Sequence, residues 1–158
     1  MNKPILSICT LDDFMRQLRA AMIQASGRTP TNLEALPKPE ISDNLASIRF
    51  AELAFVYLHF RPNTEEITRI VTLAHGDGSQ KSGYEALFAL AVSLAASGKF
   101  GDVRNGFALV KALGVMNPAN IHDGYTRFYT PILSKYGVKL EISKETGIAL
   151  RIADKRFI

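Results

Sequence analysis

The chain has little of what small proteins use to hold metals or disulfides: one cysteine, three histidines and no tryptophan among 158 residues. A single cysteine excludes an intramolecular disulfide and a thiolate metal cluster, and it is typical of a reducing compartment. The longest stretch without a charged residue, 86–98, is shorter than the roughly 20 apolar residues that cross a bilayer. The N-terminal apolar stretch is too short for a secretory signal. We therefore expect a cytoplasmic protein with no membrane partner.

Basic residues are concentrated towards one end of the chain. The 19 Lys and Arg residues against 15 Asp and Glu residues give a net charge of +4. Residues 1–98 carry 9 basic and 10 acidic side chains, whereas residues 99–158 carry 10 basic and 5 acidic ones. A basic segment favours polyanionic partners such as nucleic acid or acidic lipid headgroups, and the alternative is a solvated basic face without a partner.

Helix start and stop signals dominate the sequence before Gly137. The length and the composition, 47% hydrophobic and 22% charged, predict one globular domain, 1–158. The predicted fold class is mainly α, with six or seven helices and a C-terminal β-hairpin. Capping pairs, glycines at expected C-termini and the stop at Arg61-Pro62 place helices over 11–26, 43–60, 64–75, 83–97, 102–113 and 118–136.

Two of these predicted helices are apolar on most of their circumference, at 53–60 and at 86–94. A helix that is hydrophobic all round must be covered on all sides. Such a helix is either at the centre of the core or part of a subunit interface. A homodimer through 43–60 or 83–97 is therefore an open alternative.

The hydrophobic period changes from helical to alternating after Gly137. Apolar and polar residues alternate over 138–143 and again over 148–153, and Gly147 lies in the intervening turn. This pattern predicts a β-hairpin with one apolar and one mostly polar face.

Candidate catalytic groups are few and do not cluster along the chain. No two histidines have the spacing of a helical metal site, and His59 is interpreted as a hydrogen-bonded core or interface residue. The segment 75–82 is superficially like a phosphate loop, but His75 and Gln80 stand where glycine is needed. We predict that the protein is not an enzyme and has neither a cofactor nor a metal site.

The order of elements over 83–152 is helix, helix, short turn, long helix and hairpin, as in a winged helix-turn-helix. Within it, Asn120-Ile-His-Asp-Gly-Tyr-Thr-Arg-Phe-Tyr129 and the segment 137–152 resemble the C-terminal half of the winged-helix effector domains of bacterial response regulators. The resemblance implies a winged-helix-like half, 83–152, preceded by a helical half, 1–76, that builds the core or a dimer. Pro131 should break or kink the predicted recognition helix.

The resemblance also implies an interface for double-stranded DNA. The predicted function is a non-enzymatic DNA-binding or transcription-regulatory protein, and the alternative is a helical protein–protein adaptor, inhibitor or effector that binds no nucleic acid. Base-edge or phosphate hydrogen bonds are expected from Asn120, Thr126 and Arg127, and phosphate contacts from Lys135, Lys139, Lys144 and Arg151, with Lys155 and Arg156 in the tail.

Overall fold

The chain runs through a helix, a block of strands, two helices and a second block of strands. The structure, a computed structural model, describes residues 3–26 and 37–158. The helices are α1 (Leu11–Ser26), α2 (Gln80–Ala96) and α3 (Val103–Ala112). The strands are β1 (Cys9–Thr10), β2 (Glu40–Ser42), β3 (Leu45–Ala51), β4 (Ala54–Phe60), β5 (Glu66–Ala74), β6 (Thr126–Tyr129), β7 (Tyr136–Ser143) and β8 (Gly147–Asp154).

The eight described strands form one antiparallel sheet in the order β2-β3-β4-β5-β8-β7-β6, and β1 pairs with β5 off this path. At its centre β5 pairs with β8, so that Ile70 lies opposite Ile152 and Leu73 opposite Ala149. Strands from 40–74 and strands from 126–154 therefore share a single sheet.

The predicted mainly α fold is wrong. The segment 43–60 forms β3 and β4, and the segment 64–75 contains β5, where two helices were expected. A continuous apolar run fits a buried helix and a buried strand equally well, and the aromatic and β-branched residues of β4 favour the strand. β4 is apolar on both faces because Val56 lies in the core while Tyr57 points to the opposite face of the sheet.

The winged-helix prediction is wrong as well, because the segment 118–136 contains no α-helix. It holds a 3₁₀ turn at Pro118–Asn120, the strand β6 and a loop through Pro131. Gly124 has a φ of +90°, a conformation that does not continue a right-handed helix, and Pro131 lacks a backbone donor. The expected recognition helix is therefore absent, and "helical" does not describe this protein.

Three of the predicted helices and the hairpin are present. α1 covers the expected range, and α2 and α3 differ from theirs by at most three residues at either end. A capping box at Asp102, whose carboxylate accepts the N–H groups of Arg104 and Asn105, begins α3. β7 and β8 pair as a hairpin, with Gly147 at a φ of +72° in the turn.

The helices of the described residues lie on one face of the sheet, with α2 against β3, β4 and β5. Every residue from 89 to 96 in α2 is buried, because α1 and α3 cover the sides of α2 that the sheet does not. The apolar circumference of this helix is thus satisfied within the chain. None of the helices in the described residues is long and apolar enough to cross a membrane.

Candidate functional site

The opposite face of the sheet is covered by no helix of the described residues, and we call it the open face. Along β4, β5 and β8, partly exposed side chains that point to this face alternate with buried ones that point to the helices. Strand pairing arranges the side chains of the open face in rows. The rows are Arg49–Phe55–Leu73–Ala149–Glu141, Ser47–Tyr57–Val71–Arg151–Lys139–Phe128 and Leu45–His59–Arg69–Ala153.

One half of the open face is aromatic and apolar. The rings of Phe55 and Tyr57 are stacked, with centroids 6.5 Å apart and an interplanar angle of 23°. The guanidinium carbon of Arg49 lies 5.7 Å from the centroid of the Phe55 ring. Val71 and Leu73 lie beside the two rings on the next strand. This half therefore combines two stacked aromatic rings with a cation over one of them.

Two arginines at the centre of the open face each have a buried side-chain nitrogen that makes no hydrogen bond with the described residues. Arg69 and Arg151 lie on the paired strands β5 and β8, and the Nε atom of each is buried without a hydrogen-bond partner in the described chain. The nearby carboxylates are engaged elsewhere: Glu141 binds Lys139 Nζ at 3.1 Å and Glu66 binds Arg61 Nε at 3.1 Å. A guanidinium that is partly buried and unpaired favours an anion.

The two arginines also act on His59, which lies opposite Arg69 on the neighbouring strand β4. Burial lowers the pKa of the His59 imidazole below its usual range, and the charges of Arg69 and Arg151 lower it further. His59 is therefore neutral at neutral pH. The sequence predicted a helix over 43–60, but His59 lies on the strand β4 and faces the open side of the sheet.

The structure brings two of the sequence-predicted site residues together. Lys139 and Arg151 lie directly opposite one another on β7 and β8, and both face the open side of the sheet. Lys139 also lies 5.7 Å from the ring of Phe128. Thr126 is exposed on the edge strand β6, opposite Glu141.

The other predicted residues are scattered. Arg127 lies on the helix side of β6 and donates from Nε to the Tyr125 hydroxyl at 2.9 Å. The Asn120 amide donates to the carbonyl oxygen of Gly114 at 2.9 Å, which is a structural contact. Lys144 lies in the β7–β8 turn, and Lys135 precedes β7 at the opposite end of that strand.

In the tail, neither cation is free. Lys155 Nζ donates to the carbonyl oxygens of Pro131 and Ile132, and Arg156 binds the Asp154 carboxylate. These bonds tie the end of the chain to its own fold.

Sequence reasoning missed four residues of the open face: Arg49, Phe55, Tyr57 and Arg69. All four lie in segments that were interpreted as helix or helix end. The available signal was the aromatic and β-branched composition of Phe55-Val56-Tyr57, which is typical of a strand. Pairing across strands then sets Arg69 beside His59, a proximity that spacing along the chain does not reveal.

No group of three or more His, Cys, Asp or Glu side chains that could hold a metal ion occurs in the part of the chain that the structure describes. No known protein family, curated protein or solved structure matches this chain. The chemistry of the open face is therefore argued from its own residues.

Proposed function

We propose that the protein is a non-enzymatic nucleic-acid-binding protein that holds a single strand across the open face of its sheet. The observation that carries the proposal is the position of Arg69 and Arg151, whose buried Nε donors have no hydrogen-bond partner in the described residues, beside the stacked rings of Phe55 and Tyr57. Cations next to aromatic platforms are the combination that single-stranded nucleic acids recognise.

The arginines supply the first half of the recognition. Two like charges on neighbouring strands repel one another, and their buried Nε donors have given up water without gaining a partner. Phosphate oxygens would accept hydrogen bonds from both guanidinium groups and neutralise them. Arg49 on β3 extends the cationic surface on one side of the pair, whereas Lys139 on the other side is paired with Glu141.

The aromatic residues supply the second half. Phe55 and Tyr57 are two residues apart on β4, which places both rings on the same face of the sheet. Bases of a single strand are free to unstack and pack against such rings, whichever base is present. The contact is therefore expected to depend weakly on sequence.

A duplex fits this surface poorly. Reading base edges in the major groove requires a protruding helix or two-stranded ribbon, and the rings of Phe55 and Tyr57 are partly buried in a broad sheet. The helix that was expected to enter the groove does not exist in 118–136. Single strands, whose bases are accessible from the side, match the broad face better.

The test is fluorescence anisotropy with labelled DNA and RNA single strands of about 20 nucleotides, with a duplex of the same length for comparison. The three open-face cations that no carboxylate pairs, Arg49, Arg69 and Arg151, predict a slope of about −2 when the logarithm of the association constant is plotted against the logarithm of salt concentration. The double variant Arg69→Ala, Arg151→Ala should reduce that slope by about two thirds.

A second variant separates stacking from charge. Tyr57→Leu preserves an apolar strand residue but removes the ring, and it should weaken single-strand binding by about tenfold or more. Arg104→Ala is the control for the two arginine substitutions, because it removes one exposed cation from α3 on the helix side of the sheet. That variant should leave both the affinity and the salt slope nearly unchanged.

Poly-glutamate distinguishes nucleic acid from an acidic protein. If poly-glutamate competes as well as the oligonucleotides and Tyr57→Leu has no effect, the open face is a docking surface for acidic protein segments, which is the adaptor alternative. Tighter binding to the duplex than to the single strand would also overturn the proposal. Absence of binding at low salt would do the same.

A further inference from the structure

The strand β6 ends the sheet with a free edge. It pairs with β7 on one side and with no described strand on the other, and all four of its residues are exposed. Phe128 is 56% exposed on the open face, and Tyr129 is 41% exposed on the helix face. The loop that follows exposes Ile132 and Leu133 almost completely. A free edge with apolar side chains on both faces is a template for another strand.

We propose that this edge pairs with the same edge of a second copy of the chain, antiparallel, with Phe128 opposite Phe128 of the partner subunit. The two sheets would then continue into one another through a two-fold axis normal to the sheet. The inference concerns β6 and does not rest on what the open face binds.

The face of each side chain limits which registers are possible. In a continuous sheet, residues that lie opposite one another point to the same face, so Phe128 can meet Phe128 or Thr126 of the partner subunit but not Arg127. With Phe128 at the axis, Arg127 lies opposite Tyr129 of the partner subunit. That arrangement places a cation beside an aromatic ring twice.

The neighbouring registers are worse. A shift that puts Arg127 on the axis sets two guanidinium groups directly opposite one another, which is destabilising. A shift that puts Tyr129 on the axis sets Arg127 opposite Pro131 of the partner subunit, and proline has no N–H to donate to the ladder. The most favourable pairing of β6 with β6 of a second copy therefore has Phe128 on the two-fold axis.

The backbone supports the same register. Ile142 in β7 donates its N–H to the carbonyl oxygen of Tyr125, just before β6. Because inward and outward groups alternate along an antiparallel strand, the N–H and C=O groups of Thr126 and Phe128 point to the free edge. Two Phe128 residues at the axis would exchange both of these hydrogen bonds.

Sedimentation velocity across the micromolar range tests the association itself. The wild-type chain should show a monomer–dimer equilibrium. Phe128→Pro should lower the association constant by about tenfold or more, because it removes an outward N–H from each copy. Phe128→Ala is its companion variant, since it removes the ring but keeps the N–H and should weaken association less. A wild-type chain that stays monomeric throughout this range would overturn the proposal.

Oxidative crosslinking tests the register. In Phe128→Cys the two new thiols lie on strands about 5.5 Å apart between Cα atoms, a separation that a disulfide spans. Thr126→Cys is the matched control on the same face of the same strand, because the proposed register separates its two copies by about 13 Å along the strand. The wild-type chain controls for Cys9, its only thiol. A covalent dimer through position 126 and not through 128 would refute the register.

Discussion

The carbonyl oxygen of Ala91 in α2 lies 2.5 Å from the position that a Cβ atom on Gly106 of α3 would occupy. The missing side chain lets the two helices approach closely at the point where α3 crosses the buried half of α2. Gly83, near the start of α2, lies in open space, with no atom within 4 Å of its would-be Cβ. An alanine at Gly83 therefore changes helix propensity alone, whereas an alanine at Gly106 also changes the packing of α3 on α2.

Gly106→Ala should lower the free energy of unfolding by about 1–3 kcal/mol, because the methyl group forces the helices apart despite its better propensity. Gly83→Ala should raise the free energy of unfolding by up to about 1 kcal/mol. Urea denaturation of the two variants and the wild type measures both. Equal effects of the two substitutions would contradict the close approach of α2 and α3.

Asp154 anchors the N-terminal segment to the end of β8. Its buried carboxylate accepts hydrogen bonds from Arg156 and from the backbone N–H of Leu6. Arg156 holds the pKa of Asp154 at about 2, below the usual 3.8. Since this pKa is depressed on folding, its stabilisation is present above about pH 4 and is lost as the pH falls towards 2.

Asp154→Asn should therefore destabilise the fold by about 2 kcal/mol at neutral pH. The same variant should flatten the loss of stability between pH 4 and pH 2 in thermal melts. Asp77 offers a comparison, because hydrogen bonds from Ser79 lower its pKa to about 2 on an exposed loop. Asp77→Asn should cost much less stability than Asp154→Asn.

Cys9 should be a slow nucleophile in the folded protein. Burial raises the pKa of its thiol to about 11, the Asp13 carboxylate adds to the rise, and Lys99 opposes it. At pH 8 the folded chain should react with iodoacetamide about a hundredfold more slowly than the unfolded chain, because the thiolate is the reactive form. Mass spectrometry with and without denaturant measures the two rates, and equal rates would place Cys9 in solvent.

The pKa of His59 should change when either Arg69 or Arg151 is replaced. Arg151→Ala should raise the pKa of His59, and Arg69→Ala should raise it too, because each removes a positive charge that disfavours the imidazolium. An NMR titration of the imidazole protons measures the pKa in each variant. Arg104→Ala on α3 should leave it unchanged.

The same histidine makes the fold less stable in mild acid. Its pKa in the folded chain lies below the usual 6.5, so the folded state binds a proton less readily than the unfolded state as the pH falls. The free energy of unfolding should therefore decrease below about pH 6.5. His59→Gln should remove this decrease while keeping a polar side chain on β4.

Local patterns in the sequence predicted α1, α2, α3 and the hairpin correctly, but the same capping signals also predicted helices over 64–75 and 118–136, which are wrong. α3 begins at the Asp102 capping box, and the β7–β8 hairpin turns at Gly147, and both follow from residues close together in the chain. β3, β4 and β5 could not be separated from helices in this way. Their side chains contact neighbours on both faces, so the apolar run has no single period.

Most residues of the candidate site could not be predicted from the sequence, for a different reason. Lys139 and Arg151 were predicted as phosphate contacts of the hairpin, because apolar and polar residues alternate there. Arg69, His59 and Tyr57 come from strands that had been interpreted as helices. Their meeting with Arg151 depends on β5 pairing with β8, two strands separated by both α2 and α3 in the chain.

Composition and local pattern alone thus give a globular chain with a basic C-terminal third, and they predict one hairpin and six or seven helices, of which only α1, α2 and α3 are present among the described residues. The long-range pairing of strands, which no local signal encodes, makes the single sheet and places the helices on one side of it. That pairing leaves the other side open and gathers cations of the basic third with aromatic residues of the neutral part. Only hydrogen bonding between distant strands brings those residues onto one surface, so the sequence by itself could not place them together.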